Sequence, residues 1–354
     1  MLALTIDAGP DGPGSAAWAA PVTSTATPSK RMRMTPGSIA FICTAAMKSV
    51  PVRAGRVAIL GRPNVGKSTL LNRIVGEKLA IVTPKPQTTR NRIAGVYNDA
   101  ARGQIVFVDT PGVHGAKKEL NRFMVGEALG LIPDIDAALL VVDAATAVPE
   151  VWRADDIEAR ILKALAEARR PVVLALNKVD TVKDKGGLLP ILESWAKRSD
   201  LRAIVPLSAK RGTNVDRLVG ELWELLPEGP PLYAPEQLTD RTERFLAAEL
   251  IREQLFTSLR QEVPYAVAVV IDEWNERAGG DVVIAASIVV ERDNQKAIVL
   301  GKGGTMIKDV GTRARLEITE LLQRPAHLKL TVRVEPEWTT SPQAMAALGY
   351  RTES

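Results

Sequence analysis

Short apolar runs alternate with helical stretches from residue 55 to about residue 228. The apolar runs end in polar or turn-forming residues and predict buried strands at residues 56–60, 104–109, 137–143, 172–177 and 203–207. The stretches between them predict helices at residues 68–75, 151–169, 188–199 and 214–225. Buried strands that alternate with helices predict an α/β domain, residues 55–229, whose mostly parallel sheet is wrapped by helices.

A proline-rich breaker at residues 227–235 separates this region from one with a different order of elements. We take residues 230–238 as a linker. The pattern then predicts a helix at residues 241–259, strands at 265–272, 281–291 and 296–300, a glycine loop, a helix at 305–323 and a final strand at 327–334. Neighbouring strands with flanking helices predict a smaller α+β domain, residues 239–337, followed by a polar, alanine-rich tail at 338–354.

Residues 1–54 show neither a strand period nor a helix period and are rich in Ala, Gly, Pro, Ser and Thr. This composition predicts a disordered extension. Two alternatives stay open at the sequence level. Lys30, Arg31 and Arg33 are basic and acids are few, which is also typical of a transit peptide. Translation from Met34 or Met47 would remove most of the segment.

The composition excludes several classes of protein. The chain has 354 residues, 46% of them hydrophobic and 25% charged, which suits about two soluble domains. The single cysteine, Cys43, excludes a disulfide scaffold and a Cys-cluster zinc site, and the two histidines, His114 and His327, argue against a His-rich metal centre. The longest apolar stretch, residues 131–148, is broken by three aspartates, so no membrane-spanning helix is predicted. The net charge of +5 permits a polyanionic partner without requiring one.

A glycine-rich loop between the first strand and the first helix fits the pattern GxxxxGK[ST]. Its glycines let the backbone curl so that successive N–H groups face phosphate oxygens, and the helix N-terminus adds positive potential. Lys67 is placed to reach the β- and γ-phosphates, and the Ser68 hydroxyl to ligate Mg²⁺. The predicted nucleotide-binding residues of this loop are Gly61, Arg62, Pro63, Asn64, Val65, Gly66, Lys67, Ser68 and Thr69.

A second motif, Asp109-Thr110-Pro111-Gly112, ends the next predicted strand. The Asp109 carboxylate is placed to hold Mg²⁺ through a water molecule, and the Gly112 N–H to approach the γ-phosphate. Between the two motifs, Thr88 or Thr89 supplies a hydroxyl that ligates Mg²⁺ only while a γ-phosphate is bound, and we favour Thr89. The predicted catalytic residues are Lys67, Thr89, Asp109 and Gly112.

The base is predicted to be guanine. Asn177-Lys178-Val179-Asp180 closes another predicted strand, and a single carboxylate at Asp180 accepts from both adjacent donors of guanine, N1–H and N2–H₂. Adenine lacks that pair of donors, so ATP should be rejected. Asn177 ties this loop to the phosphate loop, and the stem of Lys178 lies along the base. Ser208-Ala209-Lys210 ends the last strand, where the Ala209 N–H is placed to donate to guanine O6.

A second glycine loop, Gly301-Lys302-Gly303-Gly304, lies between a predicted strand and a predicted helix. Such a GXXG loop clamps a single strand of nucleic acid, with N–H groups and the lysine facing phosphates. Ile298 and Ile307 would line a groove for splayed bases. Further basic side chains could extend the face: Lys296, Lys308, Arg313 and Arg315. The predicted RNA-binding residues are Gly301, Lys302, Gly303, Gly304, Ile307 and Lys308.

Taken together, GRPNVGKS, QTTR, DTPGV, NKVD and SAK resemble the Era family of GTPases, and the GXXG segment resembles the type II KH domain that ends Era proteins. The resemblance covers residues 56–334. It implies a GTP- and Mg²⁺-dependent enzyme that alternates between GTP and GDP. It also implies binding of single-stranded 16S ribosomal RNA near its 3′ end, a role in assembly of the 30S subunit, and a cytoplasmic monomer. The resemblance further allows peripheral association with the inner face of the cell membrane.

Val113 occupies the position where Ras-type sites carry a water-orienting glutamine. Valine has no hydrogen-bonding atom, so slow intrinsic hydrolysis is predicted, and His114 is assigned a loop or packing role. The resemblance suggests that Asn64 helps to bind a potassium ion beside the phosphates. Two other functions stay open: a GTPase that serves RNA modification or other translation machinery, and a non-catalytic or weakly catalytic RNA-binding module whose conformation the nucleotide controls.

Overall fold

The first region contains a six-stranded sheet in the order β2-β3-β1-β4-β5-β6. Its strands are β1 Arg53–Leu60, β2 Ile93–Asp99, β3 Gly103–Asp109, β4 Ala137–Asp143, β5 Val172–Asn177 and β6 Leu201–Pro206. All neighbours are parallel except β2, which pairs antiparallel with β3 at one edge. This computed structural model describes residues 52–113, 119–146, 157–197, 201–260 and 262–350.

Helices cover both faces of this sheet. They are α1 Lys67–Val75, α2 Glu119–Leu129, α3 Ile157–Glu167, α4 Leu188–Ala196 and α5 Val215–Trp223. Along β1, Val57 and Ile59 join the apolar core on one face while Ala58 and Leu60 join the core on the other. Successive strand side chains point to opposite faces, so a strand buried on both sides must be apolar throughout. The predicted α/β architecture is therefore confirmed.

Three details of this region differ from the sequence predictions. The first strand begins at Arg53, so residues 53 and 54, assigned to a disordered extension, belong to the sheet. Residues 1–51 lie outside the described part of the chain. Strand β2 and helix α2 were not predicted.

The second region is an α+β unit around a three-stranded sheet in the order β7-β8-β9. Its strands are β7 Ala268–Glu276, β8 Val282–Val290 and β9 Ala326–Val334, and its helices are α6 Glu243–Ser258, α7 Asp293–Leu300 and α8 Thr305–Leu322. Strands β7 and β8 are antiparallel, and β8 and β9 are parallel. Helices α6 and α8 pack on the sheet and close one apolar core, which includes Ile251, Ile284 and Val310.

The predicted strand at residues 296–300 is wrong, because these residues form the last turns of α7. The Gln295 side-chain oxygen accepts from the N–H groups of Glu291 (2.9 Å) and Arg292 (3.2 Å), which satisfies donors at the start of a helix. Asp293 in the first turn also favours a helix N-terminus. Within this run Val299 is completely buried, whereas Ile298 is 46% exposed, as expected for successive residues on different sides of a helix.

The predicted tail is also more ordered than its composition suggested. Trp338 is completely buried, and a short helix, α9 Pro342–Ala347, follows it. Met345, Leu348 and Tyr350 pack with Phe123 and other apolar residues of α2, so the chain end joins the two regions. Within the described residues, no helix has both the length and the apolar character needed to cross a bilayer.

Candidate functional site

The phosphate loop joins β1 to α1 and depends on two glycines in left-handed conformations. Gly61 has φ 145° and Gly66 has φ 98°. A Cβ on Gly61 would lie 2.3 Å from the Val141 carbonyl oxygen, and one on Gly66 would lie 2.4 Å from Asn177 Nδ2. Only glycine satisfies both the dihedral angle and the space. The loop is thus shaped by its neighbours before any phosphate binds.

Lys67 is enclosed by this loop. Its side-chain nitrogen donates to the carbonyl oxygens of Gly61 (3.2 Å) and Arg62 (2.9 Å). Burial lowers the pKa of Lys67 to about 8, and the Asp109 carboxylate opposes that shift. A partly desolvated ammonium held on main-chain oxygens is ready to exchange them for phosphate oxygens.

The metal end of the site brings together Ser68, Thr89 and Asp109. Ser68 Oγ donates to Asp109 Oδ2 at 2.6 Å, and Thr89 Oγ1 lies 2.9 Å from Ser68 Oγ and 3.3 Å from Asp109 Oδ2. Asp109 is completely buried, and this burial raises the pKa of its carboxyl group. Among the described residues, Asp109 Oδ1 has no hydrogen-bond partner. Two hydroxyls around a buried, incompletely paired carboxylate form a set of oxygen donors that suits Mg²⁺.

The two threonines of the QTTR segment face different partners. The Thr88 hydroxyl contacts Thr83 Oγ1 (2.7 Å) and donates to the Lys85 carbonyl oxygen (2.7 Å), away from Asp109. Thr89 is 7% exposed and is the one at the metal end. The geometry therefore favours Thr89 over Thr88 as the Mg²⁺ ligand, in agreement with the expectation from the sequence.

The segment after Asp109 is fastened against the phosphate loop. Thr110 Oγ1 donates to the Ile59 carbonyl oxygen (2.7 Å), and the Val113 N–H donates to Gly61 O (3.1 Å). A Cβ on Gly112 would lie 2.6 Å from the Pro63 nitrogen, so only glycine allows this approach. Val113 is completely buried in the core with Ala58 and Leu60, and its side chain is part of that packing. His114 lies outside the described residues.

Asn177 ties three loops together at the base end of the site. Its Nδ2 donates to the Val65 carbonyl oxygen (2.7 Å), and its Oδ1 accepts from the Ala209 N–H (2.9 Å). The predicted link between the base-reading loop and the phosphate loop is therefore present. The Ala209 N–H, however, was predicted to face guanine O6 and instead donates to Asn177. The Ala209 N–H is therefore already used in the contact between the two loops.

Asp180 carries the charge that the base-reading prediction requires. Its side chain is 12% exposed, and Arg211 Nε lies 3.8 Å from Oδ2. A hydrogen bond from the Ser208 side chain, with smaller contributions that include Arg211 and Lys210, lowers the pKa of Asp180. The carboxyl group therefore stays ionised at neutral pH and presents acceptors to a ligand.

Two charged pairs at the site were not predicted. Lys178 Nζ donates to Asp143 Oδ2 (2.7 Å) and to the Asn64 carbonyl oxygen (2.6 Å), which holds the lysine stem across the site. Arg62 makes a two-pronged contact with Glu158 of α3, at 2.6 and 2.7 Å. The available signal for Asp143 was its position at the end of an apolar strand whose neighbours carry the motifs. No local signal marks Glu158.

A cleft of about 470 Å³ runs between the phosphate loop and residues 81–89. The residues that line it include Asn64, Lys67, Ser68, Thr89, Gly112 and Lys178. Asn64 Nδ2 donates across it to the Pro84 carbonyl oxygen (2.8 Å). The cleft therefore extends from the Ser68 and Thr89 hydroxyls to Lys178.

The GKGG loop of the second region lies between two helices, α7 and α8. Gly301, Gly303 and Gly304 all have positive φ, at 72°, 62° and 78°. A Cβ on Gly301 would lie 2.7 Å from Met306 Cβ, whereas nothing lies within 4 Å of one on Gly303. Lys302 is exposed. The tip of the loop is open to a ligand, and its base is packed.

The apolar and basic residues near this loop separate into exposed and buried sets. Ile307 is 5% exposed and packs in the core, whereas Ile298 on α7 is 46% exposed. Of the two isoleucines predicted to line a groove, only Ile298 offers substantial surface. Lys308 is exposed, and Arg313 is tied to Asp309 and Ser258, at 2.6 Å each.

Comparisons with known proteins match each of the two regions of the fold to a family. Residues 56–178 match the family described as 50S ribosome-binding GTPase, and residues 262–339 match the KH domain family. The chain is 48% identical to the GTPase Era of Geobacter metallireducens over 305 residues, which are 86% of this chain and all of that relative. It is 46% identical to the GTPase Era of Lacticaseibacillus paracasei over 300 residues, which are 85% of this chain and 97% of the relative.

The chain belongs to the Era family of GTPases. It is therefore a GTP hydrolase, as predicted, with a KH domain after its GTPase domain.

Two solved Era structures match the fold, each with a TM-score of 0.80 and each covering 85% of this chain and all of the solved chain. One is a variant of Aquifex aeolicus Era bound to GDP and AlF₄⁻, 39% identical to this chain. The other, 38% identical, is Era in complex with MgGDPNP and nucleotides 1506–1542 of 16S ribosomal RNA. The Era-family chain thus shares both regions of its fold with proteins of known structure.

Proposed function

We propose that this Era-family GTPase binds single-stranded 16S ribosomal RNA near its 3′ end and acts in assembly of the 30S subunit. One observation carries the proposal: a single chain unites a preshaped nucleotide site with an open, lysine-bearing GKGG loop at a helix junction. The solved Era that holds nucleotides 1506–1542 of that RNA has the same fold and supports this choice of ligand.

The phosphates of GTP are gripped by the loop from Gly61 to Thr69, with Lys67 supplying charge and the first turn of α1 supplying N–H groups. The Mg²⁺ ion would be held by the hydroxyls of Ser68 and Thr89 and, through water, by Asp109, and it supplies positive charge to the phosphate oxygens. Gly112 packs closely against Pro63 of the loop, and we assign its N–H to the γ-phosphate. Thr110 and Pro111 hold that backbone in place.

Hydrolysis rests on positioning, because the residue after Gly112 offers no polar atom. Val113 is completely buried, so it neither orients nor deprotonates water. We therefore expect a slow intrinsic rate that depends on electrostatic stabilisation around the phosphates. We also propose that Asn64 takes part in a potassium site, which would add the positive charge that an arginine finger supplies elsewhere.

Guanine is selected by the ionised Asp180, which accepts from N1–H and N2–H₂. Lys178, held by Asp143, lies along the base plane, and Ser208, Ala209 and Lys210 form the adjacent wall. We further propose a cytoplasmic monomer. Peripheral membrane association and a transit peptide stay predictions, as does the role of residues 1–51.

The test is phosphate release from GTP by the purified full-length chain, in potassium or sodium buffer, with and without an oligonucleotide from the 3′ end of 16S ribosomal RNA. A scrambled oligonucleotide of the same composition is the control. We expect turnover to be faster in potassium than in sodium, and to be raised by the native oligonucleotide but not by the scrambled one. Equal turnover in the two salts would remove the potassium role, and equal stimulation of turnover by both oligonucleotides would remove the assigned RNA.

A further inference from the structure

Arg90 directly follows the metal-site threonine, yet its side chain belongs to the second region of the molecule. It is 1% exposed, and its guanidinium donates to the carbonyl oxygens of Val267 (2.7 Å), Tyr265 (3.0 Å) and Pro264 (3.2 Å). It also contacts the Tyr350 hydroxyl at 3.2 Å. A buried guanidinium needs these acceptors, so it cannot leave them without cost. The contacts therefore hold the backbone of Arg90 in place.

Aromatic rings complete this enclosure. The guanidinium carbon lies 5.7 Å from the ring centroids of Phe256, Trp338 and Tyr350. Trp338 and Tyr350 stack at 5.6 Å, and both come from the segment after β9. Arginine suits such a site because its planar, delocalised cation stacks on rings while its N–H groups still donate. We call Phe256, Trp338, Tyr350 and the three carbonyl groups the arginine cage.

The segment before Arg90 is held by the same region. The Val82 N–H donates to Glu253 Oε1 at 2.9 Å, and Lys85 Nζ donates to the carbonyl oxygens of Phe256 and Leu259 at the end of α6. A lysine there meets the negative end of the helix dipole. Residues 82–90 therefore lie between the phosphate loop and α6.

Neighbouring side chains on this segment serve the two regions separately. Thr89 turns to Ser68 and Asp109, whereas Arg90 turns into the cage. Consecutive Cα atoms are about 3.8 Å apart, so withdrawal of Arg90 must move Thr89. A shift of about 0.7 Å would lengthen the 2.9 Å contact between Thr89 Oγ1 and Ser68 Oγ to about 3.6 Å, beyond hydrogen-bond distance.

We propose that Arg90 is a positioning residue that holds the Thr89 hydroxyl at the metal end of the nucleotide site. The contacts between Arg90 and the second region then help to set the position of Thr89 for GTP hydrolysis. Movement of that region away from Arg90 would therefore disturb the Thr89 hydroxyl, in addition to breaking the contacts of Val82 and Lys85 with α6. The inference rests on the proposed function, because it assigns Mg²⁺ to Ser68, Thr89 and Asp109.

The test compares the full-length protein with Arg90→Lys, which keeps the charge and loses the planar donor set. Titration calorimetry measures Mg²⁺ affinity in the presence of a non-hydrolysable GTP analogue, and analogue affinity is measured separately without Mg²⁺. We expect about a 10-fold loss of Mg²⁺ affinity, since one ligand is misplaced, and less than about a 2-fold change in analogue affinity without metal.

Arg252→Lys is the matched control. Arg252 is as buried as Arg90 and also lies over Phe256, at 5.2 Å, but its partner is Glu249 on its own helix. It should lower the melting temperature without changing Mg²⁺ affinity. Tyr350→Phe is the mild variant: it removes one hydrogen bond from the guanidinium and leaves its three carbonyl acceptors, so it should weaken Mg²⁺ binding by about 2-fold.

Wild-type Mg²⁺ affinity in Arg90→Lys and Tyr350→Phe would overturn the inference, as would an equal loss in Arg252→Lys. Should Arg90→Lys fail to fold, the comparison of Tyr350→Phe with Arg252→Lys decides. A wild-type protein that binds no GTP analogue would overturn the proposed function itself, a different and recognisable result.

Discussion

The phosphate loop and the GKGG loop are both rich in glycine and lysine, but they are built differently. Gly61 and Gly66 are confined by neighbouring atoms within 2.4 Å of any added Cβ, and Lys67 is buried. Around Gly303 there is free space, and Lys302 is exposed. The shape of the first loop is fixed by the atoms packed around it, whereas the tip of the second loop is open to solvent. Substitutions should therefore act through geometry at the first loop and through charge at the second.

The largest effect is expected for Lys67→Ala. Loss of the buried ammonium removes charge stabilisation of the phosphates, so GTP hydrolysis should fall by about 1000-fold. Burial depresses the pKa of Lys67, so its charge does not stabilise the folded protein without nucleotide. The melting temperature of the nucleotide-free variant should therefore not decrease. Turnover within a factor of about three of wild type would contradict the assignment.

Asp180→Asn tests the base end of the same site. The amide presents a donor where the carboxylate accepted from guanine, so GTP affinity should fall by about 100-fold. ATP affinity, already weak, should change little. Competition binding with the two nucleotides measures the ratio, and an unchanged ratio would remove Asp180 from base selection.

Lys302→Asp combined with Gly303→Asp tests the open loop. Nothing within 4 Å of Gly303 obstructs a side chain, and aspartate tolerates the left-handed region better than most residues, so the fold should persist. Repulsion of phosphates should weaken RNA binding by at least about 10-fold while leaving GTP hydrolysis without RNA intact.

The matched control for this double variant is Lys163→Asp combined with Gly229→Asp. It makes the same change in charge on an exposed lysine and on a glycine with free space around it. If both double variants lost RNA equally, general electrostatics and not the GKGG loop would explain the binding.

A smaller effect is expected from pH. The pKa of Lys67 is about 8 in the protein without nucleotide, and phosphate favours the charged form. Binding therefore takes up a proton once the pH exceeds 8, and GTP affinity should fall about 5- to 10-fold between pH 7 and 9. Lys67→Ala should show a flat profile over that interval; a wild-type profile that is equally flat would contradict the pKa argument.

The smallest change in rate is expected for Val113→Gln. This glutamine would take the sequence position of the Ras-type residue, but the Val113 side chain is completely buried in the core. Burial of an amide should destabilise the protein by about 1–3 kcal/mol without raising turnover. A faster enzyme of wild-type stability would show that the side chain reaches the phosphates.

Much of the nucleotide site could be predicted because its residues lie at the ends of parallel strands. The carboxyl ends of parallel strands lie along one edge of the sheet, so motifs far apart in sequence, such as those that contain Asp109 and Asn177, are placed on the same edge. Gly61 and Gly66 were equally predictable, because the phosphate-loop motif requires glycine where the backbone adopts a positive φ. Arg62 was assigned to the nucleotide-binding loop, and its side chain pairs with Glu158, a partner that no local pattern reveals.

The failures came from segments whose burial is decided by distant partners. In β2, Gly95 interrupts the apolar run, and the structure shows that its place is fixed by Leu71 of α1, 2.6 Å from a Cβ on Gly95. The polar composition of the tail concealed Trp338 and Tyr350, which acquire partners only when α2 and Arg90 are present. Residues 296–300 were apolar enough for a strand, but Gln295 starts a helix there.

Selection of guanine by Asp180 is measured by titration calorimetry of the full-length protein with non-hydrolysable GTP and ATP analogues at equal Mg²⁺. We predict that the guanine nucleotide binds at least about 1000-fold more tightly, because only guanine offers two donors to Asp180. Equal affinity for the two nucleotides would contradict this prediction.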